Sequence, residues 1–93
     1  MYSMKDSKGK RQLIRDQEGL ELLAKQLVSV RKRYGHTQQS LADKAGLSLS
    51  QIARIETAVT NPTISTLMRI SRVLDIPLSH LFEFKLDKLD FEK

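Results

Sequence analysis

Gly46 stands between two apolar segments that are each only about two helical turns long, and this limits what the chain can become. Ahead of it, Leu41, Ala42 and Ala45 fall on one side of a short helix running from about Gln38 to Ala45. Behind it, Ile52 and Ile55 share the inner side of a second short helix that ends near Thr57 or Ala58. Helices this short, joined this tightly, cross steeply instead of lying antiparallel. Ala42 is small enough to let the second helix come close. Gly46 adopts a positive φ at little cost and so supplies the bend. Thr37 is placed to cap the first of the two helices. Ser48, with Gln51 three residues later, reads as a capping box that starts the second.

The flanking segments are helical too. Leu20, Leu23, Leu27, Val30 and Tyr34 recur at three- and four-residue steps, and Gly35 closes that helix. Lys10 to Glu18 is charged and lacks a clear apolar face, so at most it extends the same helix. Asn61-Pro62 disfavours helix and marks a loop from Val59 to Pro62. Thr63 can cap a fourth helix carrying Ile64, Leu67, Met68 and Leu74, with Ile70 and Val73 at its flanks. Asp75 to Pro77 breaks it, and Pro77 opens a fifth, short helix with Leu78, Leu81 and Phe82. Beyond Glu83, Phe84 and Leu86 alternate with Lys85 and Asp87, as in an edge strand or a tail. The expected fold is all-α. A compact five-helix domain fills residues 19–83, after a basic arm over 1–18 and before a tail or dimerisation strand over 84–93.

Composition narrows the function classes. Ninety-three residues leave room for one small domain, and 40% apolar with 29% charged residues is a globular mix. The absence of cysteine removes disulfides, thiolate metal sites and cysteine nucleophiles together. No apolar run is long enough for a bilayer, and Met1 to Gly9 lacks the apolar core of a secretory signal, so a cytoplasmic protein with no membrane partner is expected. His36 reads as a solvated loop residue and His80 as a half-exposed helix residue, with no metal-ligand spacing around either. No nucleophile elbow, phosphate loop or HExxH motif is present, so neither an enzyme nor a cofactor is expected. The net charge is +5: residues 1–18 carry five bases against three acids, residues 19–83 eight against five, and residues 84–93 balance at three each. That excess favours a polyanionic partner, nucleic acid ahead of an anionic membrane.

Two short helices crossing at a tight turn have the arithmetic of a helix-turn-helix, whose second helix lies in the DNA major groove. The plain alternative is a helical hairpin that only completes a core. Residues Leu20 to Phe82 resemble the Cro/lambda-repressor-like (XRE-type) helix-turn-helix domain. The likeness is carried by Thr-Gln-Gln-Ser-Leu-Ala at 37–42, Ala-Gly-Leu-Ser at 45–48, Ile-Ala-Arg-Ile-Glu at 52–56, Asn-Pro-Thr at 61–63 and Leu-Asp-Ile-Pro-Leu-Ser-His-Leu-Phe at 74–82. It covers about two thirds of the chain without a gap.

The resemblance implies double-stranded DNA as partner. Gln38, with Thr37 beside it, matches a position that meets phosphate at the positive end of its helix. Ser48, Leu49, Ser50 and Arg54 match positions that face bases or adjacent phosphates, and Gln51 is near enough to reach the backbone unless the capping box occupies it. Thr60 and Asn61 match a loop that touches phosphate through main-chain groups. Arg31 and Glu56 match an ion pair between the first and third helices, the alternative being two separately solvated charges. Lys32 and Arg33 continue a basic run, a solvated face that adds long-range attraction to DNA. Leu49 departs from the usual polar reader. It either touches a thymine methyl, leaving most hydrogen-bonded readout to Arg54, or serves a protein contact. One domain makes few base contacts, so a homodimer on a palindrome is expected. Leu78, Phe82, Phe84 and Leu86 are its candidate interface, with Phe91 as an extension, although Leu81 and Phe82 also serve as caps on the domain's own core. The chain leaves no length for a separate effector domain. The expected function is a transcriptional regulator acting as a repressor. The alternative is an antitoxin that binds a partner toxin, through the arm or the 84–93 tail, and its own promoter.

Overall fold

The computed structural model describes residues 14–90. The first helix, α1 (Gln17–Arg33), starts where the Asp16 carboxylate accepts the Gly19 N–H at 2.9 Å. Glu18 lies at its positive end and Arg31, Lys32 and Arg33 at its negative end, each complementing the helix dipole. Leu23, Leu27 and Val30 are buried as their spacing requires. Tyr34 is not part of that stripe: it is the C-cap of α1, and its side chain is half exposed because the helix has already ended. Lys10 to Leu13, and Phe91 at the other end, lie outside the described residues.

Three capped helices follow. α2 (Gln38–Ala45) begins at Thr37, whose hydroxyl accepts the Ser40 N–H at 3.0 Å. α3 (Leu49–Glu56) begins at Ser48, and α4 (Ile64–Leu74) at Thr63, whose hydroxyl accepts the Thr66 N–H at 3.1 Å. All four helices end alike. A residue of positive φ follows the last turn, and the next N–H reaches back five residues, the Schellman arrangement. The positive-φ residues are Gly35, Gly46, Ala58 and Asp75. The closing bonds are His36 N–H to Arg31 O, Leu47 N–H to Ala42 O, Val59 N–H to Arg54 O and Ile76 N–H to Ser71 O, at 2.9–3.1 Å. The two glycines are the expected stops. Ala58 and Asp75 do the same work without glycine's freedom.

The fifth expected helix is a five-residue 3-10 helix, η1 (Leu78–Phe82), with Pro77 at its start. It is too short to close an α-helical ladder, and the His80 N–H bonds back to Pro77 O at 2.9 Å in the tighter pattern. One large side chain from each element is fully buried at the centre: Leu27, Leu41, Ile52, Ile70 and Leu81. Burial of such a side chain contributes about 1.5–3 kcal/mol, so every element is tied to the same core.

Two further expectations need correction. α4 turns Leu67, Ile70, Ser71 and Leu74 inward, which makes Ile70 central, whereas Ile64 and Met68 lie to one side of that stripe and remain 54% and 44% exposed. Residues 84–90 form no strand among the described residues. Phe84 instead packs against the core beside Phe82, ring centroids 6.4 Å apart, and Leu86 rests on Gly19. Alternation alone does not make a strand where the buried face of the domain is the better partner. Among the described residues no helix is long and apolar enough to cross a membrane.

Gly46 has a φ of 73°, and a Cβ there would meet only the Arg69 guanidinium at an ordinary 3.4 Å. The cost of Gly46→Ala is therefore a backbone cost, about 1–2 kcal/mol. Chemical denaturation measures it, and an unchanged midpoint would mean that the turn can leave the left-handed region.

Candidate nucleic-acid interface

α2 and α3 are joined by only Gly46, Leu47 and Ser48. Ala42 and Ala45 are buried at the crossing, where their small side chains let the backbones approach. From α4, Arg69 donates to Ala45 O at 3.1 Å and so satisfies a carbonyl at the end of α2. The start of α3 is fixed by a reciprocal capping box. The Gln51 N–H donates to Ser48 Oγ at 3.0 Å, and the Ser48 N–H donates to Gln51 Oε1 at 2.9 Å. The Ser48 hydroxyl and the Gln51 carbonyl oxygen are thus engaged locally, with the Gln51 amide nitrogen left outside the cap.

The two sides of α3 differ sharply. Ile52 and Ile55 are buried, while Leu49, Ser50, Gln51 and Arg54 are exposed. Ser50 and Arg54, four residues apart, share one side of the helix. A shallow cleft of about 280 Å³ runs between α3 and the following loop, and it brings Gln51 and Arg54 together with Thr60 and Asn61. Thr37 and Gln38 sit elsewhere, at the start of α2.

The other end of α3 meets α1 and α2 through a buried charge pair. Arg31 grips the Glu56 carboxylate with two donors, Nε to Oε2 and Nη2 to Oε1 at 3.0 Å, and the two side chains are only 9% and 4% exposed. The remaining Arg31 nitrogen donates to His36 O at 2.9 Å. Gln38 donates from Nε2 to Glu56 Oε1 at 2.8 Å. The resemblance implied the pairing of Arg31 with Glu56, and the structure shows it, but nothing in sequence tied Gln38 to Glu56. Part of the Gln38 amide is spent inside the protein. The outward groups of the α2 start are the N–H groups of Gln38 and Gln39, which helix geometry leaves without intrahelical acceptors.

Sequence reasoning also missed Arg15 and Gln17, which bond the chain at the exit of α3. Their only signal was polarity in a segment without an apolar face. Their partners are main-chain carbonyls more than 40 positions away, which no side-chain pattern marks.

A helix-turn-helix family model matches residues 27–81, and the chain belongs to that family. The HTH-type transcriptional regulator SlrR of Bacillus subtilis is 39% identical over 54 residues, which is 57% of this chain and 36% of that protein. The HTH-type transcriptional regulator SinR of Bacillus subtilis is 34% identical over 65 residues, 69% of this chain and 59% of that protein. The chain thus spans less than two thirds of the length of either. Among solved structures, the N-terminal DNA binding domain of SinR from Bacillus subtilis superposes with a TM-score of 0.64 at 31% identity, covering 72% of this chain and 99% of that domain. The restriction-modification controller protein C.AhdI from Aeromonas hydrophila does so with a TM-score of 0.66 at 27% identity, covering 68% and 96%.

Removing the Glu56 carboxylate leaves the Arg31 guanidinium buried without its counter-charge. Glu56→Ala is expected to destabilise the fold by about 3–5 kcal/mol. Arg31→Lys loses the two-pronged geometry and also destabilises, though less. Urea unfolding checks both, and wild-type stability in Glu56→Ala would show that the pair holds nothing in place.

Proposed function

We propose that this chain is a sequence-specific regulator of transcription that binds double-stranded DNA and acts as a repressor, as a homodimer on a palindromic operator. The observation that carries the reading is the outer side of α3. Leu49, Ser50 and Arg54 stand exposed on a helix whose start is closed by its own capping box and whose last residue is bonded to α1 and α2. Such a helix presents base-reading side chains with little ordering left to do on binding. The likeness to regulators, and to a solved DNA binding domain, supports it further.

In this reading Arg54 donates to a guanine edge, Leu49 contacts a thymine methyl, and Ser50 and Gln51 reach adjacent groups. Ser48 stays with its cap and orients the helix start. The N–H groups at the start of α2, beside Thr37 and Gln38, meet one phosphate at the positive end of that helix. The backbone of Thr60 and Asn61 meets another. The DNA-binding unit spans 19–83 together with the last residues of the 1–18 arm, whose Arg15 and Gln17 are bonded to the α3 exit, and 84–93 forms the tail. The dimer face is drawn from Phe82 and Leu86, with Leu78 and Phe84 half-buried beside them. The exposed α4 residues Ile64 and Met68 extend this apolar surface, and Ile64, Phe82 and Leu86 line one groove.

Selection of bound duplexes from a random pool tests the reading directly. Arg54→Ala should reduce discrimination between the selected duplex and random DNA by about 1–3 kcal/mol. Equal loss on both would remove its base-reading role, and wild-type affinity that is flat in salt would remove DNA as the partner. Ile64→Glu on the apolar face should shift sedimentation toward monomer. An unchanged monomer–dimer equilibrium would take that face out of the interface.

A further inference from the structure

Two side chains at the N-terminal end of α1 reach across to the far end of α3. Arg15 donates from Nη2 to both Ala58 O, at 3.0 Å, and Val59 O, at 2.9 Å. Gln17 donates from Nε2 to the same Ala58 O at 3.0 Å. Arg15 Nε also donates to Gln17 Oε1 at 2.9 Å, so the two side chains brace each other.

The carbonyls they hold lie where the α3 exit is weakest. Ala58 takes a φ of 60°, in the region that disfavours L side chains. α1 and α2 place glycine at the matching position, and Asp75 after α4 has a side chain that can bond locally. Ala58 has neither advantage. Its carbonyl points out of the helix ladder and needs a partner from elsewhere. The Arg15 guanidinium supplies one, and its charge sits at the negative end of α3. The same stretch leads into Thr60 and Asn61. The Val59 and Thr60 N–H groups both bond to Arg54 O, at 2.9 and 3.2 Å, so this backbone is also continuous with the turn that carries Arg54.

We propose that Arg15 and Gln17 are positioning residues for DNA binding, whose donors hold the Ala58–Val59 backbone and thereby set Thr60, Asn61 and the last turn of α3 for contact. This rests on the function proposed above. It adds two residues that touch neither base nor phosphate.

Arg15→Lys is the informative variant, because it keeps the charge and loses the planar guanidinium, whose Nη2 serves both carbonyls while its Nε braces Gln17. Amide hydrogen exchange is measured without DNA. The Val59 and Thr60 amides are expected to exchange at least about tenfold faster, with the Leu27 and Ile70 amides unchanged as a control for folding. Affinity for the selected duplex is expected to fall about tenfold, with a smaller loss on random duplex, where only the Thr60–Asn61 phosphate contact is weakened, and with the salt slope unchanged because no charge is removed. Unchanged exchange at Val59 and Thr60 overturns the clamp. Faster exchange with full affinity for the selected duplex overturns its link to DNA. In Arg15→Met, a reduced salt slope with equal loss on random duplex also overturns the proposal, by making Arg15 a phosphate contact itself. If the wild-type chain selects no duplex at all, the proposed function falls and the DNA role of the clamp falls with it. The exchange measurement still decides whether the clamp exists, so the two failures are distinguishable.

Discussion

α3 is eight residues long and buries only Ile52 and Ile55 completely, so it cannot be stable or well oriented by itself. Isolated helices below about 12–15 residues are marginal in water. A cap of its own closes its start, the domain holds its finish, and its outer side is left open. The capping box of Ser48 and Gln51 secures the start. At the finish, Glu56 is locked by Arg31 and Gln38, and the carbonyls beyond it are bonded by Arg15 and Gln17. α1 and α2 therefore work as a mount for α3 as well as a share of the core.

The buried ion pair fits that role better than it fits a stability argument. Two charges removed from water regain about what they lose, and an apolar pair of equal volume often serves as well. What Arg31 and Glu56 add is direction: a planar fork meets a planar carboxylate in few orientations. With Gln38 on the same carboxylate, one group fixes how α1, α2 and α3 meet.

Much of the fold was legible because its signals are local. Thr37, Ser48 and Thr63 announce helix starts, Gly35 and Gly46 announce stops, and the three-and-four spacing of Leu23, Leu27 and Val30 marks a buried stripe. The stops near Ala58 and at Asp75 were read as well, but not their left-handed backbone, which alanine disfavours and aspartate only tolerates more readily than most. On α4 the apolar pattern was wider than the buried stripe, so periodicity could not tell Ile70, at the centre, from Ile64 and Met68, at the edge. The tail after Glu83 alternated like a strand, yet Phe84 found a better place on the core.

The sequence by itself determined that the secondary structure of the domain is all-helical, where most helices begin, that a steep turn falls at Gly46, and that Ile52 and Ile55 face inward while Ser50 and Arg54 do not. Each of these depends on residues within a few positions of one another. Only the tertiary structure decided that Gln38 spends part of its amide on Glu56, that Arg15 and Gln17 reach the end of α3, and that the tail folds back over α1. Those contacts join residues 18 to more than 60 positions apart, several of them through main-chain carbonyls, which every residue carries alike and which therefore leave no mark in a sequence.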